Sequence, residues 1–175
     1  MDLKDYIRSI QDYPKKGILF RDITTLIKNE KAFTYCIDQI VEKSKQFDFN
    51  KLAAVESRGF VFASAVSYIL KKPFILLRKK NKLPAETYSV DFELEYGTAT
   101  IEMHKDSVDK NDSVLIIDDL IATGGTAEGA AKLIKISEGK VAGFIFVINL
   151  FDLGGCDSLL KQNYKVENLI DFPGH

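Results

Sequence analysis

Residues 114–126 read Val-Leu-Ile-Ile-Asp-Asp-Leu-Ile-Ala-Thr-Gly-Gly-Thr, and no other stretch of the chain constrains its fold as much. The string opens on four apolar residues without alternation, the pattern of a strand covered on both faces in a parallel sheet. The chain then leaves the strand at its carboxyl end, where open α/β sheets place their ligands. Asp118 and Asp119 come first, followed by Ala122, Thr123, Gly124, Gly125 and Thr126. These small residues leave backbone N–H groups unshielded, and the threonines add hydroxyls. The pattern over 126–136 predicts a helix whose N-terminal dipole faces the same place. A phosphate monoester suits that cradle. Two carboxylates beside a phosphate would repel it, so Asp118 and Asp119 are expected to face a neutral or metal-bound group, and vicinal sugar hydroxyls are suitable donors. A plain strand-to-helix turn capped by Thr126 accounts for the glycines but not for two acids and two threonines together.

Elsewhere, Leu3, Tyr6, Ile7 and Ile10 share one helical face and Phe33, Cys36, Ile37, Ile40 and Val41 another, predicting a short N-terminal helix and a longer one. Between them Tyr13-Pro14-Lys15-Lys16-Gly17 is turn-rich. Residues 52–55 and 74–77 predict buried strands around a helix over 60–70, the βαβ unit of a parallel sheet. From Tyr88 to Met103 apolar and polar residues alternate on either side of Gly97, predicting an antiparallel hairpin. A further core strand is expected over 141–149. At 175 residues the chain is expected to form one domain.

Lys plus Arg total 24 against 25 Asp plus Glu, so charge offers no reason to expect a nucleic-acid or membrane partner, and any anion site must be local. Cys36 and Cys156 fit no metal-ligand spacing and are expected to be reduced thiols, which suits a cytoplasmic protein. The charged opening Met1-Asp2-Leu3-Lys4-Asp5 and the lack of a span-length apolar run give no expectation of export or membrane insertion.

Glu56-Ser57-Arg58-Gly59-Phe60 follows strand 52–55 at the same lip of the sheet. Arginine and glycine there can take a second anion, or can simply start a helix with the guanidinium in water. Arg78, Lys79, Lys80 and Lys82 place four cations in five positions after strand 74–77, either as a solvated loop or as charge for a diphosphate leaving group.

In this order the motifs resemble the type I phosphoribosyltransferases, whose signature is an apolar strand, two acids and a Thr-Gly-Gly-Thr-like loop. Leu94-Glu95-Tyr96-Gly97 resembles the mobile loop of the adenine-using members, and Gly17-Ile18-Leu19-Phe20-Arg21-Asp22-Ile23-Thr24 resembles their base-recognition hood. The resemblance implies an α/β fold with a central, mainly parallel sheet flanked by helices. It also implies a small hood over about 1–27, a core over about 30–150, a tail over 151–175 and a mobile hairpin over the site. The implied activity moves the 5-phosphoribosyl group of phosphoribosyl pyrophosphate (PRPP) to N9 of adenine, giving AMP and pyrophosphate for purine salvage. Mg²⁺ would be held mainly by the substrate, and the enzyme would be a homodimer.

By position, the resemblance gives Asp118 and Asp119 the ribose hydroxyls, and Ala122, Thr123, Gly124, Gly125 and Thr126 the 5′-phosphate. It gives Ser57, Arg58, Arg78, Lys79 and Lys82 the pyrophosphate, with Arg78 reaching into the partner's site and a cis peptide at Glu56-Ser57. Leu19 and Arg21 would read the adenine edge through their backbone while Phe20 stacks on it. Glu95, beside Tyr96, would exchange a proton with the base under a closed loop. Read by themselves, Phe20 suits the core and Glu95 the solvent side of an alternating strand. Glu102, expected to point outward, and His104 are weaker candidates, and the tail after Phe151 matches no motif. Two rival functions are transfer to another purine base and regulation by binding PRPP or a nucleotide without catalysis.

Overall fold

The computed structural model describes residues 1–94 and 96–175. After a 3₁₀ turn, Leu3–Tyr6, come β1 (Arg8–Gln11), β2 (Leu19–Asp22), α1 (Thr24–Ile27) and α2 (Glu30–Ser44). The core continues through β3 (Lys51–Val55), α3 (Arg58–Leu70), β4 (Phe74–Lys79), β5 (Thr87–Glu93) and β6 (Thr98–His104). It closes with β7 (Ser113–Ile121), α4 (Gly125–Ile136), β8 (Lys140–Leu150), α5 (Gly155–Lys161) and β9 (Val166–Phe172).

Seven strands form one sheet in the order β5-β6-β4-β3-β7-β8-β9. β4, β3, β7, β8 and β9 run parallel, and the β5–β6 hairpin is added antiparallel on the β4 side. The apolar runs of β3 and β7 serve both faces. Leu52, Ala54, Leu115 and Ile117 pack toward α2 and α3, while Ala53, Val55, Val114 and Ile116 pack toward α4. From adjacent β3 and β7 the chain departs in opposite directions, through α3 to β4 and through α4 to β8. The carboxyl ends of β3 and β7 therefore form the topological switch point at which such sheets hold ligands. No helix among the described residues is long and apolar enough to cross a membrane.

Two expectations need correction. The N-terminal apolar face does not make a helix through Ile10: the 3₁₀ turn ends at Tyr6, Ile7 is extended, and Ile10 pairs with Phe20 across β1 and β2. A helix of two turns gains too little to outweigh nucleation, and strand pairing satisfies the same backbone groups. Glu102 does not point into solvent. It is buried, accepting the Asn81 N–H at 3.1 Å and the Ser89 hydroxyl at 3.3 Å, because the turn after β4 folds over β6. The unmatched tail contains β9, which lies parallel to β8 with Phe144 opposite Val166 and Leu150 opposite Phe172.

The β1–β2 ribbon and α1 form the small N-terminal layer, tied together by Asp22. Its carboxylate accepts the Thr24 hydroxyl at 2.7 Å, the Thr24 N–H at 2.9 Å and Arg8 Nε at 3.0 Å. The Thr24 hydroxyl foremost, with Arg8 assisting, pulls its pKa down to about 2. A depressed carboxyl stabilises the fold above its unfolded value near 4, and this contribution is lost as the pH falls toward about 2. Because Arg8 is more than half exposed, the share is discounted to about 1 kcal/mol. Asp22→Asn is expected to lose that amount in urea denaturation at about pH 7, with the gap to the parent narrowing below about pH 4.

Candidate active site

β7 delivers Asp118 and Asp119 to the switch point and runs on to Ile121. Gly124, at φ +94, turns the chain into α4 with no side chain capping the helix, so Thr126 does not close off its first-turn N–H groups. A side chain at Gly125 would meet the backbone: a Cβ there lies 2.1 Å from the Glu93 carbonyl oxygen, so the hairpin end rests directly on the start of α4. From below, the Gly155 N–H donates to the Ala122 carbonyl at 3.0 Å. A Cβ on Gly155 would come within 2.5 Å of that same oxygen. The loop is thus open toward the lip of the sheet and braced on its other side.

At the end of β3, Glu56-Ser57 is a cis peptide, and Ser57 precedes α3 without capping it. A second uncapped helix start therefore faces the same lip. Gly59 allows α3 to approach the acids, since a Cβ there would sit 2.7 Å from Asp118 Oδ1. Arg58 Nε pairs with Asp119 Oδ2 at 2.9 Å, and its guanidinium lies 5.6 Å from the centroid of the Phe20 ring. Asp118 Oδ1 accepts the Asp119 N–H at 2.8 Å. Desolvation and then the neighbouring Asp119 charge push the Asp118 carboxyl well above the usual range. Ser57, Arg58, Asp118, Asp119 and residues 122–126 border a cavity of about 420 Å³, which Leu94 and Tyr96 edge from the hairpin side.

Of the remaining described candidates, only Tyr96 lines this cavity. Leu19 and Phe20 on β2 are half-buried, with Phe20 edge-on to Tyr13 at 5.1 Å. The Arg21 side chain is buried in another direction, donating to Ser9 Oγ at 2.5 Å and to the Pro173 carbonyl at 2.9 Å. Arg78 Nε is 3.3 Å from Glu56 Oε1 without hydrogen-bond geometry, and the Lys79 N–H donates to that same oxygen at 2.6 Å. The Lys79 and Lys82 side chains are exposed and border no part of the cavity. Tyr96 meets the hood, with Lys15 Nζ 5.4 Å from its ring centroid. Glu95 lies outside the described residues. His104 accepts the Ala85 N–H at 3.2 Å, away from the cavity.

Sequence reasoning missed Gly155 and took Gly59 only as part of an anion site, whereas the importance of both lies in what approaches them; Gly154-Gly155 after a core strand was a visible signal. Burial raises the thiols of Cys36 and Cys156 to about 12 and about 11, which makes both poor nucleophiles. No three metal-ligating side chains converge among the described residues. A divalent cation at the lip would meet Asp118 and Asp119, the latter already paired with Arg58, and would draw its other oxygens from a phosphorylated substrate.

Comparison with known proteins agrees with this geometry. The family model for the phosphoribosyl transferase domain matches residues 23–171. The adenine phosphoribosyltransferase of Pelagibacter ubique is 77% identical over 175 residues, covering 100% of both chains. That of Escherichia coli O157:H7 is 50% identical over 173 residues, covering 99% of this chain and 94% of its own. The crystal structure of adenine phosphoribosyltransferase from Thermoanaerobacter pseudethanolicus superposes with a TM-score of 0.93 at 45% identity, covering 97% of this chain and 98% of its own. The Saccharomyces cerevisiae enzyme, solved with an imino-altritol bisphosphate and adenine, has a TM-score of 0.87 at 32% identity over 96% of each chain. With its two acids, uncapped α4 and mainly parallel sheet, this chain belongs to the phosphoribosyltransferase family, among the adenine phosphoribosyltransferases.

Proposed function

We propose that the protein transfers the 5-phosphoribosyl group of PRPP to N9 of adenine, releasing AMP and pyrophosphate in purine salvage. The observation that carries this reading is the convergence of Asp118 and Asp119 with two uncapped helix starts, at Ser57 and Gly124, around one cavity. Hydroxyl acceptors between two anion sites suit a ribose bearing phosphate at one end and pyrophosphate at the other.

In the proposed reaction the N9–C1′ bond forms, the C1′–O bond to pyrophosphate breaks with its electron pair leaving on oxygen, and the base gives up a proton. Asp118 and Asp119 orient the ribose, and residues 122–126 hold the 5′-phosphate through backbone N–H groups and threonine hydroxyls. Arg58, with Ser57, takes the leaving group after exchanging its pairing with Asp119; Arg78, Lys79 and Lys82 add charge on the same side. The backbone of Leu19 and Arg21 reads the base edge, Phe20 stacks on it, and Glu95 receives the proton. Tyr96 and Leu94 help exclude water. Mg²⁺ would be held mainly by substrate oxygens, with Asp118 and Asp119 nearby, and would supply charge neutralisation on the pyrophosphate.

The working unit in this reading is a homodimer in the cytoplasm. Support comes from the outward face of α3, where Val61, Tyr68 and Ile69 are exposed, as is Leu76 of β4, with Tyr68 at 86%. Arg78 shares the Leu76 face of β4 and so borders that apolar surface. Sedimentation is expected to show a dimer at micromolar concentration, and Tyr68→Lys is expected to shift it toward monomer with a parallel fall in turnover.

The direct test mixes protein, Mg²⁺ and PRPP with adenine, hypoxanthine or guanine in separate tubes and separates the products by chromatography. AMP from adenine alone is expected. IMP or GMP would overturn the base assignment while keeping the PRPP site, and no product in any tube would favour the binding-only regulator.

A further inference from the structure

The tail carries none of the reaction's motifs, yet it grips the hood at Arg21. The Arg21 guanidinium lies 4.4 Å from the centroid of the Phe172 ring and donates to the Pro173 carbonyl at 2.9 Å. Arg21 is 8% exposed, and its Nε has no acceptor among the described residues, so the aromatic face and the tail carbonyl join the Ser9 hydroxyl in compensating it for leaving water. One residue further on, the Gly174 N–H donates to Asp152 Oδ1 at 2.6 Å. A Cβ at Gly174 would lie 2.6 Å from Leu153 Cγ, so the strand end is seated closely on the segment before α5. That segment leads directly into Gly155, which braces the Ala122 carbonyl of the phosphate loop. A continuous path of contacts therefore runs from the hood, through residues 172–174, to the underside of the loop proposed to hold the 5′-phosphate.

We propose that residues 172–174 are a positioning strap, holding the Leu19–Arg21 backbone at a set distance from the phosphate loop so that base N9 faces sugar C1′. The inference rests on the base-reading role given to the hood above. Phe172 and Arg21 act as positioning residues through their side chains and touch no reacting atom. Loosening the strap should weaken capture of the base and leave PRPP, held by the β7–α4 loop, unaffected.

The test is steady-state kinetics with adenine varied at saturating PRPP and Mg²⁺, together with PRPP binding by calorimetry. Phe172→Leu is expected to raise the KM for adenine about tenfold, with kcat and PRPP affinity within twofold of the parent; Phe172→Tyr, which keeps the aromatic face, is expected to restore it. Arg21→Met should give a similar rise, and the double variant should be no worse than either single one, because both remove the same link. Where Phe172→Leu does not fold, Asp152→Ala, at an exposed position, replaces it, with an expected rise of about threefold. Phe20→Ala serves as the reference. An unchanged adenine KM in the tail variants beside a raised one in Phe20→Ala overturns the strap alone. An unchanged KM in Phe20→Ala as well overturns the hood's base-reading role and the strap with it, and equal losses of adenine and PRPP binding reduce the tail to a structural element.

Discussion

Glu95→Gln is expected to lower kcat about 10²- to 10⁴-fold while PRPP still binds with near-parental affinity. The amide has almost the same shape as the carboxylate but cannot accept a proton from a purine nitrogen at neutral pH. The chain on either side of position 95 borders the cavity: Leu94 and Tyr96 line it, and the Glu93 carbonyl lies against the start of α4. The groups proposed to hold the sugar and its phosphates sit on other elements, at Ser57, Arg58, Asp118, Asp119 and residues 122–126, so binding and turnover should separate cleanly. Steady-state turnover and calorimetric titration with PRPP measure the two halves. Near-normal turnover would remove Glu95 from the proton path.

The second expectation joins loss of affinity to gain of stability. Asp118 is held with a raised pKa by desolvation and by the adjacent Asp119 charge. An acid whose pKa rises on folding stabilises the fold only below its unfolded value near 4, and loses that contribution as the pH climbs toward the folded value. Above that unfolded value, the cost of placing a carboxylate in this site therefore works against folding. Asp118→Asn removes the charge and keeps an oxygen for the Asp119 N–H, so the melting temperature is expected to rise by a few degrees at about pH 7 and to converge with the parent in acid. The same change weakens hydrogen bonds from ribose hydroxyls to a charged acceptor, each worth about 1.5–3 kcal/mol, so PRPP affinity should fall roughly a hundredfold. A variant that loses both stability and affinity would make Asp118 a structural acid.

What could be read from the residues alone follows from how locally each feature is encoded. β3, β7 and β8 were legible because burial on both faces leaves a run of apolar residues within one short window, and β4 carries the same run although Leu76 on one face is exposed. The acids and the Thr-Gly-Gly-Thr loop were legible for the same reason, since strand, carboxylates, loop and helix are consecutive. β9 was not, because Glu167, Asn168 and Asp171 interrupt its apolar residues and it pairs only with β8. Four apolar positions near the N-terminus fit a helical face while belonging to a 3₁₀ turn, the extended residue after it and a strand. Alternation along β6 assigned Glu102 to a face but could not show that the turn at Asn81 covers it. The Arg21 contact with Pro173 spans 152 residues, and no local pattern announces such a pair.

The way the hairpin sits on α4 has a consequence for how this enzyme can vary. Phe92 and Ile101 pack where Gly129 leaves room, and the Glu93 carbonyl fits only because Gly125 has no side chain. The berth is made of missing atoms on the helix and of residues that precede the tip or follow it. The tip is thus an interchangeable tool on a fixed arm: its sequence can change to suit a different base while the place where the arm lands stays the same.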